Sequence, residues 1–268
     1  MKLLVVNADD FGFTRDVNLG IVEACREGIL TSTTIMANGN AFDHAVALAR
    51  QCPALDVGGH LVLIGGRSLL PPHKPYPRSV AGLLRALARR ECDIRAELAA
   101  QVRRIVDAGI APTHLDTHKH THLVPPVLEA VARVAREFGI RWIRKPVDIP
   151  LQYGAPLAVR LAGGVIRRLG RRFGGVLGRY GCRTTDHFAG FALTGRCDGT
   201  DLVRLIEQLP DGTTEFMCHP GYCSEELRGA ETRLKESRAR ELEALKSAAV
   251  RNALTRHGIR IASFRDLP

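Results

Sequence analysis

The sequence predicts an α/β fold, a (β/α) barrel of irregular form, with residues 1–268 making one domain. Short apolar runs alternate with helical periodicities from the first residue onward, the order that builds a mainly parallel sheet with helices outside it. The runs are continuous rather than alternating, as strands buried on both faces are. About seven such runs suit a barrel better than a small open sheet.

Leu3 to Val6 is the first run, and Val17 to Ile29 carries helical spacing with a stop at Gly28. Thr31 to Met36 is β-branched and Ala41 to Arg50 helical. Val57 to Leu63 reads as the third strand, the Pro- and Gly-rich stretch Gly65 to Arg78 as a long loop, and Ile94 to Ala108 as a long helix. Thr113 to Thr117 reads as the fourth strand, and Pro126 to Phe138 as the helix after it. Arg141 to Arg144 is strand-like and Ala155 to Leu169 helical, while Gly163 to Gly181, with its glycines and clustered arginines, reads as irregular. Thr214 to Met217 and Ile259 to Ser263 are late strands around a helix from Thr232 to Ala249.

Composition narrows the function classes. A hydrophobic content of 45% and a charged content of 25% are those of a globular chain with a core. The net charge of +10 raises the question of an anionic partner. Aromatics, at 5%, are too few for base-stacking platforms and no nucleic-acid motif is present, so nucleic acid is not an expected partner. Seven cysteines, odd in number and without a CxxC pair, argue against a disulfide framework or a thiolate zinc site and fit a reducing compartment. The N-terminal apolar run is too short for a signal-peptide core, and no stretch approaches a membrane span. The expected location is the cytoplasm.

Four features fall at the ends of these strands, where barrel active sites gather. Asp9 and Asp10 follow a buried run directly, which is costly unless the acids have a partner or a role. One acid can hold a cation while the other accepts a proton; alternatively Asp10 caps the next helix. His60, in Gly-Gly-His-Leu-Val-Leu, taken alone is more simply a hydrogen-bonded core histidine. His114, His118, His120 and His122 crowd nine residues with Asp116 among them. On an extended segment His118, His120 and His122 project to one side, and imidazole is the commonest neutral ligand for divalent cations. Asp116 then suits a hydrogen bond to a ligand ring. Which histidines bind is open on spacing alone. His219 sits in a turn before Pro220 and Gly221. Together these are an Asp/His site without thiolate, suited to Mg²⁺, Zn²⁺, Mn²⁺ or Co²⁺.

Asn-Ala-Asp-Asp-Phe-Gly at 7–12, Thr-Ser-Thr-Thr at 31–34, Gly-His-Leu-Val-Leu at 59–63, Thr-His-Leu-Asp-Thr-His-Lys-His at 113–120 and His-Pro-Gly-Tyr at 219–222 resemble the YdjC-like carbohydrate deacetylases. The motifs keep the family's order over nearly the whole chain and match least between Pro71 and Glu97 and between Pro150 and Thr184. The resemblance implies a barrel of the polysaccharide-deacetylase type, often dimeric, with magnesium as the usual metal. It implies Asp10, His60 and His118 as metal ligands, Asp9 as catalytic base, and His219 as general acid. Thr117 stands where the family commonly has Ser. Asp116 and His120 are expected beside the ligands, Arg144 at the substrate, and Asp186, in a turn with His187, either lining the pocket or in a capping or packing role.

The implied activity is removal of an acetyl group from an N-acetylglucosamine-containing sugar, either a chitooligosaccharide or a glycolipid. A metal-dependent phosphoesterase and a non-catalytic sugar-binding relative are the competing readings. The first needs more carboxylates than the motifs supply, and the second has no use for Asp9. The segment from Leu157 to Arg172, with Arg160, Arg167, Arg168, Arg171 and Arg172 among apolar residues, reads first as a solvated basic helix. An anionic membrane surface is the alternative.

Overall fold

A computed structural model describes residues 1–91, 93–150 and 157–268, and for 157–159 the backbone alone. Alternation of strand and helix holds. The strands are β1 (Lys2–Phe11), β2 (Ser32–Ile35), β3 (Asp56–Leu61), β4 (His114–Thr117), β5 (Trp142–Ile143), β6 (His187–Ala189), β7 (Gly212–Cys218) and β8 (Ile259–Ala262). All pairings between them are parallel, in the order β5-β4-β3-β2-β1-β7-β6, with β8 against the first half of β1. The sheet curls until its edges near one another, where isolated bridges join Trp142 to Arg183 and Asp148 to Phe188. This is the irregular barrel the sequence predicts.

The helices are α1 (Arg15–Glu27), α2 (Phe42–Gln51), α3 (Val80–Ala88), α4 (Ile94–Asp107), α5 (Pro125–Glu137), α6 (Leu157–Gly170), α7 (Phe173–Arg179), α8 (Gly199–Glu207), α9 (Glu225–Gly229), α10 (Glu236–Lys246) and α11 (Ala248–Arg256). Side-chain caps fix several starts: Thr14 accepts from Val17 N at 3.3 Å, Asp93 from Ala96 N at 3.0 Å and Asp198 from Thr200 N at 2.8 Å. One core joins β1 and β2 to α1, α2, α8, α10 and α11. A second lies under α4, α5 and α7. Close strand packing explains Gly58: a Cβ there would lie 2.4 Å from the carbonyl oxygen of His114 on β4.

Several expectations are corrected. Strand β1 runs on through Asn7–Phe11 instead of ending at Val6, since parallel pairing with β7 continues to Ala8 and with β2 to Phe11. Gly163 to Gly181 is largely helical, in α6 and α7. The helix expected over Thr232 to Ala249 is two helices broken at Ser247. Helices α3 and α8 and strand β6 are further elements that the sequence reading does not include. Positions 155 and 156 of one expected helix lie outside the described residues.

Candidate functional site

A cleft of about 640 Å³ opens at the C-terminal ends of the strands, with Asp9, Asp10, His60, His118, His120 and His219 among its lining. Three elements supply its floor. Asp10 is in the left-handed region at φ 70°, and the β1–β2 register shifts between Ala8 and Phe11. Neighbouring side chains on a regular strand face opposite ways. The left-handed residue breaks that alternation, so both acids reach the cleft. Such a backbone conformation costs a non-glycine residue about 1–3 kcal/mol and is concentrated at functional sites.

Asp10 Oδ1 lies 3.4 Å from His60 Nε2 and 3.3 Å from His118 Nδ1, and the two nitrogens are 3.3 Å apart. This near-equilateral triangle has the right size for an ion: ligands at ~2.1 Å in a tetrahedral arrangement stand roughly 3.4 Å apart. Asp10 Oδ1 is buried and has no hydrogen-bond partner, whereas Oδ2 is held by Arg238 at 2.5 Å. Burial alone raises the Asp10 carboxyl; Arg238, then His118 and His60, hold it well below its ordinary range, so it is a carboxylate. Behind His60, Nδ1 donates to Asp116 Oδ1 at 2.6 Å, and Thr34 Oγ1 donates to Asp116 Oδ2 at 3.1 Å. That tautomer turns the Nε2 lone pair toward Asp10 and His118, the arrangement by which carboxylates orient metal-binding imidazoles. Without an ion, burial pulls the His60 pKa down, but Asp116 and Asp9 outweigh it and push it up to about 10. The donor chemistry and the free buried oxygen fit a divalent cation.

A second group, Asp9, His60 and Asp116, is equally close-set. A guanidinium fills it. Arg144 reaches Asp9 with both terminal nitrogens, at 2.8 and 2.7 Å, Asp116 Oδ2 at 2.6 Å and Glu215 Oε1 with Nε at 2.7 Å. Burial raises the Asp9 carboxyl, but Arg144 overcomes this and drives it far below the carboxylate range. Burial, opposed by Arg144, pushes Glu215 up to about 7. His219 Nε2 stands 3.9 Å from Asp9 Oδ2, and its backbone N–H donates to Glu241 Oε2 at 2.6 Å. Burial lowers its imidazole to about 4, which leaves it neutral near pH 7. The turn after it sits on α1 so tightly that a Cβ on Gly20 would lie 2.5 Å from the Gly221 Cα.

The expected residues therefore separate. Asp9, Asp10, His60, His118, Asp116, Arg144 and His219 come together. His120 lies on the cleft wall near Phe188 and Phe191, at ring distances of 6.1 and 5.9 Å. His118, His120 and His122 do not share a face. Residues His118–Leu123 form a 3₁₀ segment with left-handed Lys119 and His120, tied by His122 N donating to Thr117 Oγ1 at 3.0 Å. His122 is consumed by Thr117 and the Arg144 carbonyl, and His114 by Asn7 and a stack on Phe264. Asp186 is exposed at the start of β6, the end of the sheet opposite the cleft, and accepts from Thr213 N and Oγ1 at 2.8 Å. It binds the neighbouring strand β7 rather than a helix start, and it is not in the lining of the cleft. Arg238, Glu241 and Glu215 were missed. Arg238 and Glu241 lie in a helix rich in charge, with nothing in its pattern to mark two buried members, and Glu215 is a lone acid in a strand.

The family model described as "YdjC-like protein" matches residues 3–256. A carbohydrate deacetylase from Brevibacillus brevis is 36% identical over 237 residues, which cover 84% of this chain and 83% of that one. Among solved structures, an Enterococcus faecalis protein described as a cellobiose-phosphate cleavage protein has a TM-score of 0.77 at 23% identity, covering 98% of both chains. A lactam utilization protein from Thermus thermophilus has a TM-score of 0.50 at 13% identity, covering 98% of this chain and 100% of that one, a likeness of fold alone. With a family model spanning nearly its whole length and a relative above one-third identity, the chain belongs to the YdjC-like protein family.

Proposed function

We propose that the chain is a metal-dependent carbohydrate deacetylase that releases acetate from an N-acetylglucosamine-containing sugar. The observation that carries this is the triangle of Asp10 Oδ1, His60 Nε2 and His118 Nδ1 on the cleft floor, with Asp9 beside it. A divalent ion in that triangle supplies Lewis-acid polarisation of the acetamide carbonyl and lowers the pKa of water. Two imidazoles in the donor set suit Zn²⁺ at least as well as the Mg²⁺ implied by the family.

The chain's own groups handle the protons. Asp9, fixed as an anion by the two-pronged Arg144 clamp, accepts the proton of the attacking water. Its strongly depressed pKa means the proton does not rest there. His219 Nε2, 3.9 Å away and neutral, carries it to the departing amine nitrogen. Amide and water become acetate and a free amino sugar. The phosphoesterase reading is disfavoured, because the position a second ion needs is occupied by the Arg144 guanidinium. A homodimer, which the family resemblance implies, and a cytoplasmic location, which the cysteine usage suits, are part of the same reading. Acetate release from N-acetylglucosamine oligomers and from a glucosaminyl glycolipid, with and without chelator, tests the function. Turnover that survives complete chelation, or no acetate from any acetylated sugar with metal supplied, overturns it.

A further inference from the structure

The cleft accounts for little of the protein's positive charge. Residues 149–185 contain seven arginines and no lysine, aspartate or glutamate, and so carry seven of the ten net positive charges. Arg179 is tied to Glu129 at 2.7 Å, and Arg183 donates to the carbonyl oxygen of Pro268 at 2.7 Å. Arg160, Arg167, Arg168, Arg171 and Arg172 are exposed on α6 and the turn after it, with no acidic partner among the described residues.

Helix α6 is two-sided. Ile166 is buried, and Gly170 lies so close to the body of the protein that a Cβ would meet Val147 at 2.4 Å. The opposite side carries Leu161 and Val165, one turn apart, 64% and 60% exposed. At helical spacing they continue into Arg168 and Arg172, with Arg160, Arg167 and Arg171 on the adjoining row. Exposed apolar side chains that run into one row of arginines and are flanked on one side by another make the combination used by helices that lie in a lipid interface. No helix among the described residues is long and apolar enough to cross a membrane. Ala162, the neighbour of Leu161, lines the cleft.

We propose that the outward side of α6 and its following turn is a docking surface for an anionic lipid bilayer, placing the cleft mouth at the membrane. Charge complementarity selects the occupant. The exposed Leu161 and Val165 favour a bilayer over a polyanion such as RNA, which has no use for aliphatic side chains amid the arginines. This goes beyond the deacetylase reading and does not depend on it.

The test is co-sedimentation of the full chain with phosphatidylcholine vesicles, with and without phosphatidylglycerol, at low and physiological salt. Binding is expected only with phosphatidylglycerol and to weaken as salt rises. Arg167→Glu with Arg168→Glu should weaken it by roughly tenfold or more. Leu161→Ser with Val165→Ser should weaken it measurably at physiological salt, and Arg256→Glu, exposed on α11, should leave it unchanged. All these positions are on the surface, so circular dichroism verifies that each variant is folded. The proposal is overturned by no binding at either salt, by α6 variants that bind as the parent does, or by poly(U) binding more tightly than the anionic vesicles at physiological salt.

Discussion

Two sides of one histidine make opposite use of the same residue types. On one side of His60 an aspartate and a second imidazole leave a buried oxygen without a hydrogen-bond donor. On the other, two aspartates stand just as close, but a guanidinium neutralises them. Proximity of carboxylates and imidazoles thus does not define a metal site. What matters is whether a positive group of the protein already occupies the space. Arg238 repeats the lesson in miniature: it takes one oxygen of Asp10 and leaves the other free.

The first way to break the comparison is His118→Ala, which removes one corner of the open triangle. Loss of both bound metal after dialysis and acetate release is expected; normal metal content with normal turnover would refute the ligand assignment. Asp9→Asn acts on the filled side. It should keep the metal and lower turnover by roughly 10²–10⁴-fold, the usual worth of a positioned base. Arg144→Met removes the neutralising charge from among Asp9, Asp116 and Glu215. Breaking a buried ion pair in this way should cost about 3–5 kcal/mol, read from denaturant unfolding of the metal-free protein. Asp116→Asn, which touches both sides at once, should weaken metal affinity by about 10–100-fold, read by competition with a chelator.

The smallest effect is on pH. In the metal-free protein His60 is protonated below about 10, held so by Asp116 and Asp9 against burial. Metal binding displaces that proton, because a ligating imidazole is neutral. The free state therefore holds more protons than the bound state, and affinity should rise with pH through the neutral range. Calorimetry at pH 7 in buffers of different ionisation enthalpy should show a proton released per ion bound; equal heats in all buffers would contradict it.

The sequence alone determined the parallel α/β barrel and most element positions, because buried strands and amphipathic helices impose periods that survive without neighbours. Acids and imidazoles at strand ends also drew attention to Asp9, Asp10, His219 and the histidine-rich run from His114 to His122, and the family resemblance added His60 and picked His118 out of that run. Tertiary structure alone decided which of these residues meet and which side chains hold them. Nothing local distinguishes His118 from His122 nine residues into a histidine-rich stretch; the left-handed turn at Lys119 and His120 separates them. Nothing local marks Arg144 as the clamp on Asp9, or Arg238 and Glu241 as buried, since each gains its meaning from partners 22 to 228 residues away in the chain. Periodicity records which face a segment buries, whereas charge compensation is settled only when distant segments meet in a medium that excludes water.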